Sequence, residues 1–233
     1  MDFTYQDLAQ MIDHALLKPE LTAEEAEAGC RLAHEYGVKS VCVKPYFVRR
    51  AAAVLAESPV AVGTVIGFPH GGQATEVKRA EAERALADGA VELDVVVNIG
   101  EVRGGHWEYV EQDLATVVEA AHAAGGLVKV IFENAYLEEA HKIQLCGVCE
   151  QVGADFVKTS TGFAATGARI EDVRLMRAHC SARVGVKAAG GIRTLEQLLA
   201  FRAAGATRIG TSSTAAILAQ VRARPPLTNP AEL

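Results

Sequence analysis

A chain of 233 residues is long enough for one sizeable hydrophobic core, and a (β/α)8 barrel fits within that length. Half of the residues are hydrophobic and 22% are charged, the balance of an ordinary globular protein. A net charge of −6 argues against a nucleic-acid surface, no apolar run approaches a membrane span, and Met1-Asp2-Phe3-Thr4 does not open a signal peptide; a cytoplasmic setting is expected, with neither nucleic acid nor membrane as partner.

In chain order, short apolar runs alternate with longer amphipathic stretches. A short strand at 12–14 precedes a helical pattern over 22–36, where Thr22 with Glu25 three residues on has the spacing of a capping box. Strands are predicted at 40–44 and 61–66, then a helix over 74–87. Strand 91–97 leads to helix 108–123, and strand 127–133 to helix 138–151. Strands 155–158 and 184–187 follow, then helix 195–204 behind Thr194 as N-cap, strand 207–210 and helix 213–223. Gly37, Gly89, Gly125, Gly153 and Gly205 each follow a helical stretch, as C-terminal glycines do. No linker divides the chain, so residues 1–233 are expected to form one domain, with the proline-containing segment 224–233 as a loose end. Strand–helix alternation implies a parallel sheet covered by helices. Eight units predict that it closes into a single (β/α)8 TIM barrel; six or fewer would have favoured an open doubly wound sheet.

Periodicity locates the polar interior. In 91–97, Val91, Leu93, Val95 and Val97 share one face, while Glu92, Asp94 and Val96 share the other. In 127–133, Val128, Val130 and Phe132 alternate with Lys129, Ile131 and Glu133. With the aliphatic faces turned toward the helices, Glu92, Asp94, Lys129, Lys158 and Lys187 converge inside the barrel. Charges of both signs there are better explained by chemistry than by stability.

Lys158 and Lys187 each close a strand-like run, one strand–helix unit apart, and are expected to be neighbours at the C-terminal ends of strands, where barrels carry their chemistry. An ordinary lysine with pKa about 10.4 is neutral in only roughly 1 molecule of 2,500 at pH 7, and bringing it near 7 needs roughly 4.6 kcal/mol. A second ammonium at about 5 Å contributes roughly 3 kcal/mol at an effective dielectric near 20, and desolvation can supply the rest, while Asp94 opposes both if it lies close. The pair is therefore sufficient to generate a nucleophilic amine. The alternative for each lysine is an ion pair with Glu92 or Asp94, the reading that suits Lys129.

Two glycine turns follow the last strands, Gly190-Gly191 after the seventh and Gly210-Thr211-Ser212-Ser213 after the eighth. Backbone N–H groups there and at a helix start bind anions, which points to a phosphorylated ligand. Arg193 either adds charge or sits on a solvated rim. No nucleotide fingerprint appears, and His70 and His106 lie in loops without a third metal ligand, so no cofactor and no metal are expected. The five cysteines form no disulfide framework; Cys146, Cys149 and Cys42 read as small buried residues.

At these residues the chain resembles the deoxyribose-phosphate aldolase family, class I aldolases that work through a Schiff base. The resemblance starts at Ile12-Asp13-His14-Ala15-Leu16-Leu17-Lys18-Pro19 and includes Val65-Ile66-Gly67-Phe68-Pro69 and Glu92-Leu93-Asp94-Val95-Val96-Val97-Asn98. Its most specific stretches are Val157-Lys158-Thr159-Ser160-Thr161-Gly162-Phe163 and Val186-Lys187-Ala188-Ala189-Gly190-Gly191-Ile192-Arg193. The resemblance implies that Lys158 is the Schiff-base lysine, Lys187 its electrostatic and proton-relay partner, and Asp94 the acid/base group. It places Gly190, Gly191, Gly210, Ser212 and Ser213 on the phosphate pocket. It implies reversible cleavage of 2-deoxy-D-ribose 5-phosphate to acetaldehyde and D-glyceraldehyde 3-phosphate without a cofactor. Barrels of this size commonly self-associate, so a homo-oligomer, dimer or tetramer, is expected. The chain departs from the family at Glu133-Asn134, at Phe163 where some members have lysine, and in having Tyr136 as its last tyrosine where some members place one near the C-terminus. Two other readings stand beside this one: an aldolase of the same fold with a different aldehyde donor, and a catalytically silent barrel that binds a sugar phosphate.

Overall fold

The structure, a computed structural model, describes residues 3–223; the segment 224–233 predicted as a loose end lies outside the described residues. Eight parallel strands close on themselves in sequence order. They are β1 (Ile12–Leu16), β2 (Ser40–Val43), β3 (Ala61–Ile66), β4 (Glu92–Val96), β5 (Leu127–Ile131), β6 (Phe156–Lys158), β7 (Gly185–Ala189) and β8 (Arg208–Thr211). The helices are α1 (Tyr5–Ala9), α2 (Ala23–Tyr36), α3 (Val48–Val54), α4 (Thr75–Ala87), α5 (Ile99–Gly104), α6 (Trp107–Ala123), α7 (Glu139–Val152), α8 (Ile170–His179), α9 (Leu195–Ala203) and α10 (Thr214–Arg222). The predicted TIM barrel is the observed fold. No helix among the described residues is long and apolar enough to cross a membrane.

Local chemistry explains the start of the longer elements. Thr22 accepts from the Glu25 amide while Glu25 caps the Thr22 amide, and Thr194 does the same with Gln197. Gly37 ends α2 in the left-handed conformation, with φ 62°, where a side chain would clash with its own backbone. Strand β7 runs two residues past its predicted end, so Lys187 stands in mid-strand rather than at its tip. Strand β1 likewise extends two residues beyond its predicted end.

The hydrophobic core is the layer between strands and helices. Val41, Val62, Leu93, Val95, Val128, Val130, Val157 and Val186 face outward against Cys30, Leu114, Val117, Leu145, Cys146, Cys149, Met176 and Ile217. The buried thiols Cys146 and Cys149 are part of this packing, and all five cysteines are unpaired. Inside the barrel the pattern reverses. Charged side chains replace aliphatic ones, and the Phe156 ring fills the space under Gly185, where a Cβ would stand 2.3 Å from it.

Candidate active site

Seven charged side chains meet inside the barrel: carboxylates Asp13, Glu92 and Asp94, and cations Lys129, Lys158, Lys187 and Arg208. At the centre is Asp94, fully buried. Its Oδ1 accepts from Lys129 Nζ at 2.9 Å, and its Oδ2 accepts from both Lys158 Nζ and Lys187 Nζ at 2.7 Å each. Lys129 also donates to Glu92 at 2.6 Å, which makes it the ion-paired lysine expected from the sequence. Lys187 contacts Asp13 as well, and Arg208 joins Asp13 to Glu92 while lying 5.2 Å over the Phe156 ring.

The charge balance decides which amine is reactive. Four cations face three carboxylates, one positive charge in excess, and an uncompensated buried charge is expensive. Release of one proton balances the set. Desolvation works against every cation here, but Asp13 and Asp94 hold Lys187 above the ordinary lysine range, Asp94, Asp13 and Glu92 do the same for Lys129, and Asp13 and Glu92 for Arg208. Only Lys158 moves the other way. Burial strips its ammonium of solvent and, with the nearby Lys187 charge, lowers its pKa against the pull of Asp94. Asp94 and Asp13, opposed by their own desolvation, are kept ionised by the lysines around them. Desolvation, and not the Lys187 charge expected from the sequence, leads in depressing Lys158, because both amines share one carboxylate that offsets much of their repulsion.

Both amines open into a cavity of about 280 Å³ at the C-terminal mouth of the barrel. Gly190, Gly191, Gly210, Ser212 and Ser213 all line it, so the structure gathers the expected phosphate residues beside the lysines. Asp94 lies beneath the floor. The Ser213 amide already donates to Thr211 Oγ1 at 2.9 Å, and the Gly190 carbonyl accepts from Ala168. That last contact needs a bare backbone: a Cβ on Gly167 would come within 2.2 Å of the Gly190 oxygen. Cys42 forms part of the wall, 4.0 Å from Asp94, with its thiol pushed up to about 11 by burial and the Asp94 charge, so it stays protonated. His70 and His106 do not line the cavity; His106 pairs with Glu101 on the surface.

Sequence reasoning missed three parts of this site. Asp13 and Arg208 complete the charge network from two short strands. Glu133 sits just past β5 with φ 54°, the one positive φ on a non-glycine among the described residues, a conformation costing about 1–3 kcal/mol. Its buried carboxylate accepts from the Thr161 amide at 3.2 Å and from the Thr161 hydroxyl, which fixes the loop leading to Phe163 at the cavity rim. Replacing Asp13 by Asn would leave Arg208 and Lys187 short of a carboxylate. A loss of about 3–5 kcal/mol in urea unfolding is expected; a change within experimental error would show that this pairing does not hold the interior.

A buried lysine whose pKa burial pushes down, beside a second amine at the C-terminal mouth of a parallel barrel, fits one class, a barrel aldolase. The family model for DeoC/LacD family aldolases matches residues 7–220. A deoxyribose-phosphate aldolase of Rhodopirellula baltica is 52% identical over 95% of this chain and 92% of its own length, and one of Thermococcus gammatolerans is 54% identical over 89% and 93%. The tetrameric deoxyribose phosphate aldolase of Aeropyrum pernix superposes with a TM-score of 0.88 at 33% identity, covering 94% of this chain and 93% of that one. The chain belongs to the DeoC/LacD family of aldolases.

Proposed function

We propose that the chain catalyses the reversible cleavage of 2-deoxy-D-ribose 5-phosphate to acetaldehyde and D-glyceraldehyde 3-phosphate through a Schiff base on Lys158. One observation carries the reading: two buried amines share a single Asp94 oxygen, and of the two only Lys158 has its pKa lowered, by burial, while Asp13 and Asp94 raise that of Lys187. The names of the relatives supply the sugar, and the glycine turns beside the amines suit its phosphate.

Neutral Lys158 attacks C1 of the open-chain sugar. The carbinolamine hydroxyl leaves as water, taking a proton that Lys187 supplies directly or through Asp94 Oδ2, which lies 2.7 Å from both amines. The iminium then draws electrons from the C2–C3 bond while the C3 hydroxyl proton passes through water to Asp94. Carbon count places the break at C2–C3 and not at C3–C4, since acetaldehyde takes only C1 and C2. C3 departs as the aldehyde carbon of D-glyceraldehyde 3-phosphate. C2 of the enamine regains a proton, and water hydrolyses the iminium to acetaldehyde and free Lys158. One barrel domain carries the whole sequence of steps.

Borohydride reduction in the presence of acetaldehyde tests the reading. The expected product is an ethyl group on the peptide containing Lys158, seen by mass spectrometry; no adduct would leave a sugar-phosphate-binding barrel, and an adduct only with another aldehyde would change the donor. We extend the proposal to a homo-oligomer, dimer or tetramer, which the tetrameric Aeropyrum pernix relative supports and light scattering would check. A cytoplasmic setting agrees with five unpaired cysteines.

A further inference from the structure

The outer half of the cavity is cationic in a protein of net charge −6. Asp13 is the one carboxylate lining it, and Lys187 and Arg208 already occupy that group. Lys158 and Lys187 are committed to Asp94. Two further cations line the cavity, Lys18 in the β1–α2 loop and Arg193 in the β7–α9 loop. Both are exposed, and neither pairs with a carboxylate among the described residues. Because β8 lies between β7 and β1, these two side chains flank the Gly210–Ser213 turn from either side.

A second lysine is spent on holding the first. Strand β2 ends at Val43, and Lys44 turns away to place its Nζ 3.1 Å from the carbonyl oxygens of Lys18 and Pro19 and 3.0 Å from that of Leu21. Three carbonyl acceptors take up the three N–H donors of the ammonium. Lys44 thus grips the backbone of the loop that brings Lys18 to the cavity, in addition to the turn made by Leu21 N on Lys18 O. Side-chain charge at position 18 is thereby delivered from a fixed backbone, which lowers the ordering cost of binding.

We propose that Lys18 is the residue that recognises the charge of the substrate phosphate, with Arg193 on the other flank and Lys44 as the positioning residue that sets the loop. This deepens the aldolase reading and rests on its phosphorylated substrate. Charged hydrogen bonds to phosphate are about twice as strong as neutral ones, and a cation at a cavity mouth raises the local concentration of an anion.

The test compares kcat/KM for 2-deoxyribose 5-phosphate with that for 2-deoxyribose. Lys18→Ala is expected to lower the preference for the phosphorylated sugar about tenfold or more, through KM, and to flatten the rise of that KM with salt. Lys18→Arg should restore most of the preference. Lys44→Met should lower it in the same direction, whereas Lys39→Ala, at the opposite end of β2, should not. Equal losses on both sugars in Lys18→Ala, or no loss on either, would overturn the proposal. If the wild-type protein cleaved neither sugar, the aldolase reading would fail by itself. Titration calorimetry with inorganic phosphate would then still judge Lys18: weaker binding in Lys18→Ala supports its role, and unchanged binding removes it.

Discussion

Replacing Lys158 by Ala should cut turnover by at least about 10⁴-fold and abolish borohydride trapping, while substrate phosphate still binds. The cavity keeps its glycine turns, Lys18 and Arg193 in that variant, so the loss falls on chemistry and not on recognition. Charge balance adds a second expectation. Removing Lys158 leaves three cations against the three carboxylates Asp13, Glu92 and Asp94, so urea stability should be retained or raised. Asp13→Asn acts on the same network with the opposite sign, removing a carboxylate from a set that balances only by releasing a proton. A Lys158→Arg variant keeps the charge but cannot release the proton near neutral pH, and it should be as inactive as Lys158→Ala. Comparable activity in either variant would remove Lys158 from the reaction.

The parts of this site legible in the sequence were charges inside long apolar runs. Glu92 and Asp94 alternate with Leu93 and Val95, and that period of two assigns them to the interior before any coordinates. Lys158 and Lys187 stand out because strands rich in valine rarely end on an unpaired charge. Arg208 gave no such signal, since β8 has only four residues and too few side chains to show a period. Asp13 lies within the strand predicted at 12–14, but three residues are too few to show which of its faces turns inward. Helices α1, α3, α5 and α8 lie outside the predicted stretches; each has ten residues or fewer, which gives a 3.6-residue period few turns in which to show. Lys44 reads as the last residue of a strand, and its grip on three carbonyls depends on a loop whose path no local pattern encodes.

Lys187→Met should disable the enzyme without touching the nucleophile. Methionine fills much of the same space with no charge, leaving Lys129, Lys158 and Arg208 to balance Asp13, Glu92 and Asp94. The excess that drives Lys158 to deprotonate is then gone, and Asp94 Oδ2 has lost the competing donor at 2.7 Å. Lys158 should retain its proton to higher pH. The reactive form is the neutral amine, so trapping is strong above the Lys158 pKa and is lost as pH falls through it. In the wild-type protein that fall lies below the ordinary lysine value, in the direction burial dictates. In Lys187→Met, with the Lys187 charge gone and burial left to oppose Asp94 alone, that fall should lie at higher pH than in the wild-type protein. Rates of acetaldehyde trapping at neutral pH should therefore drop, by about tenfold for each unit of that rise, and recover in alkaline buffer. A wild-type pH profile in this variant would mean that desolvation alone frees the amine and that Lys187 serves only the later proton transfers.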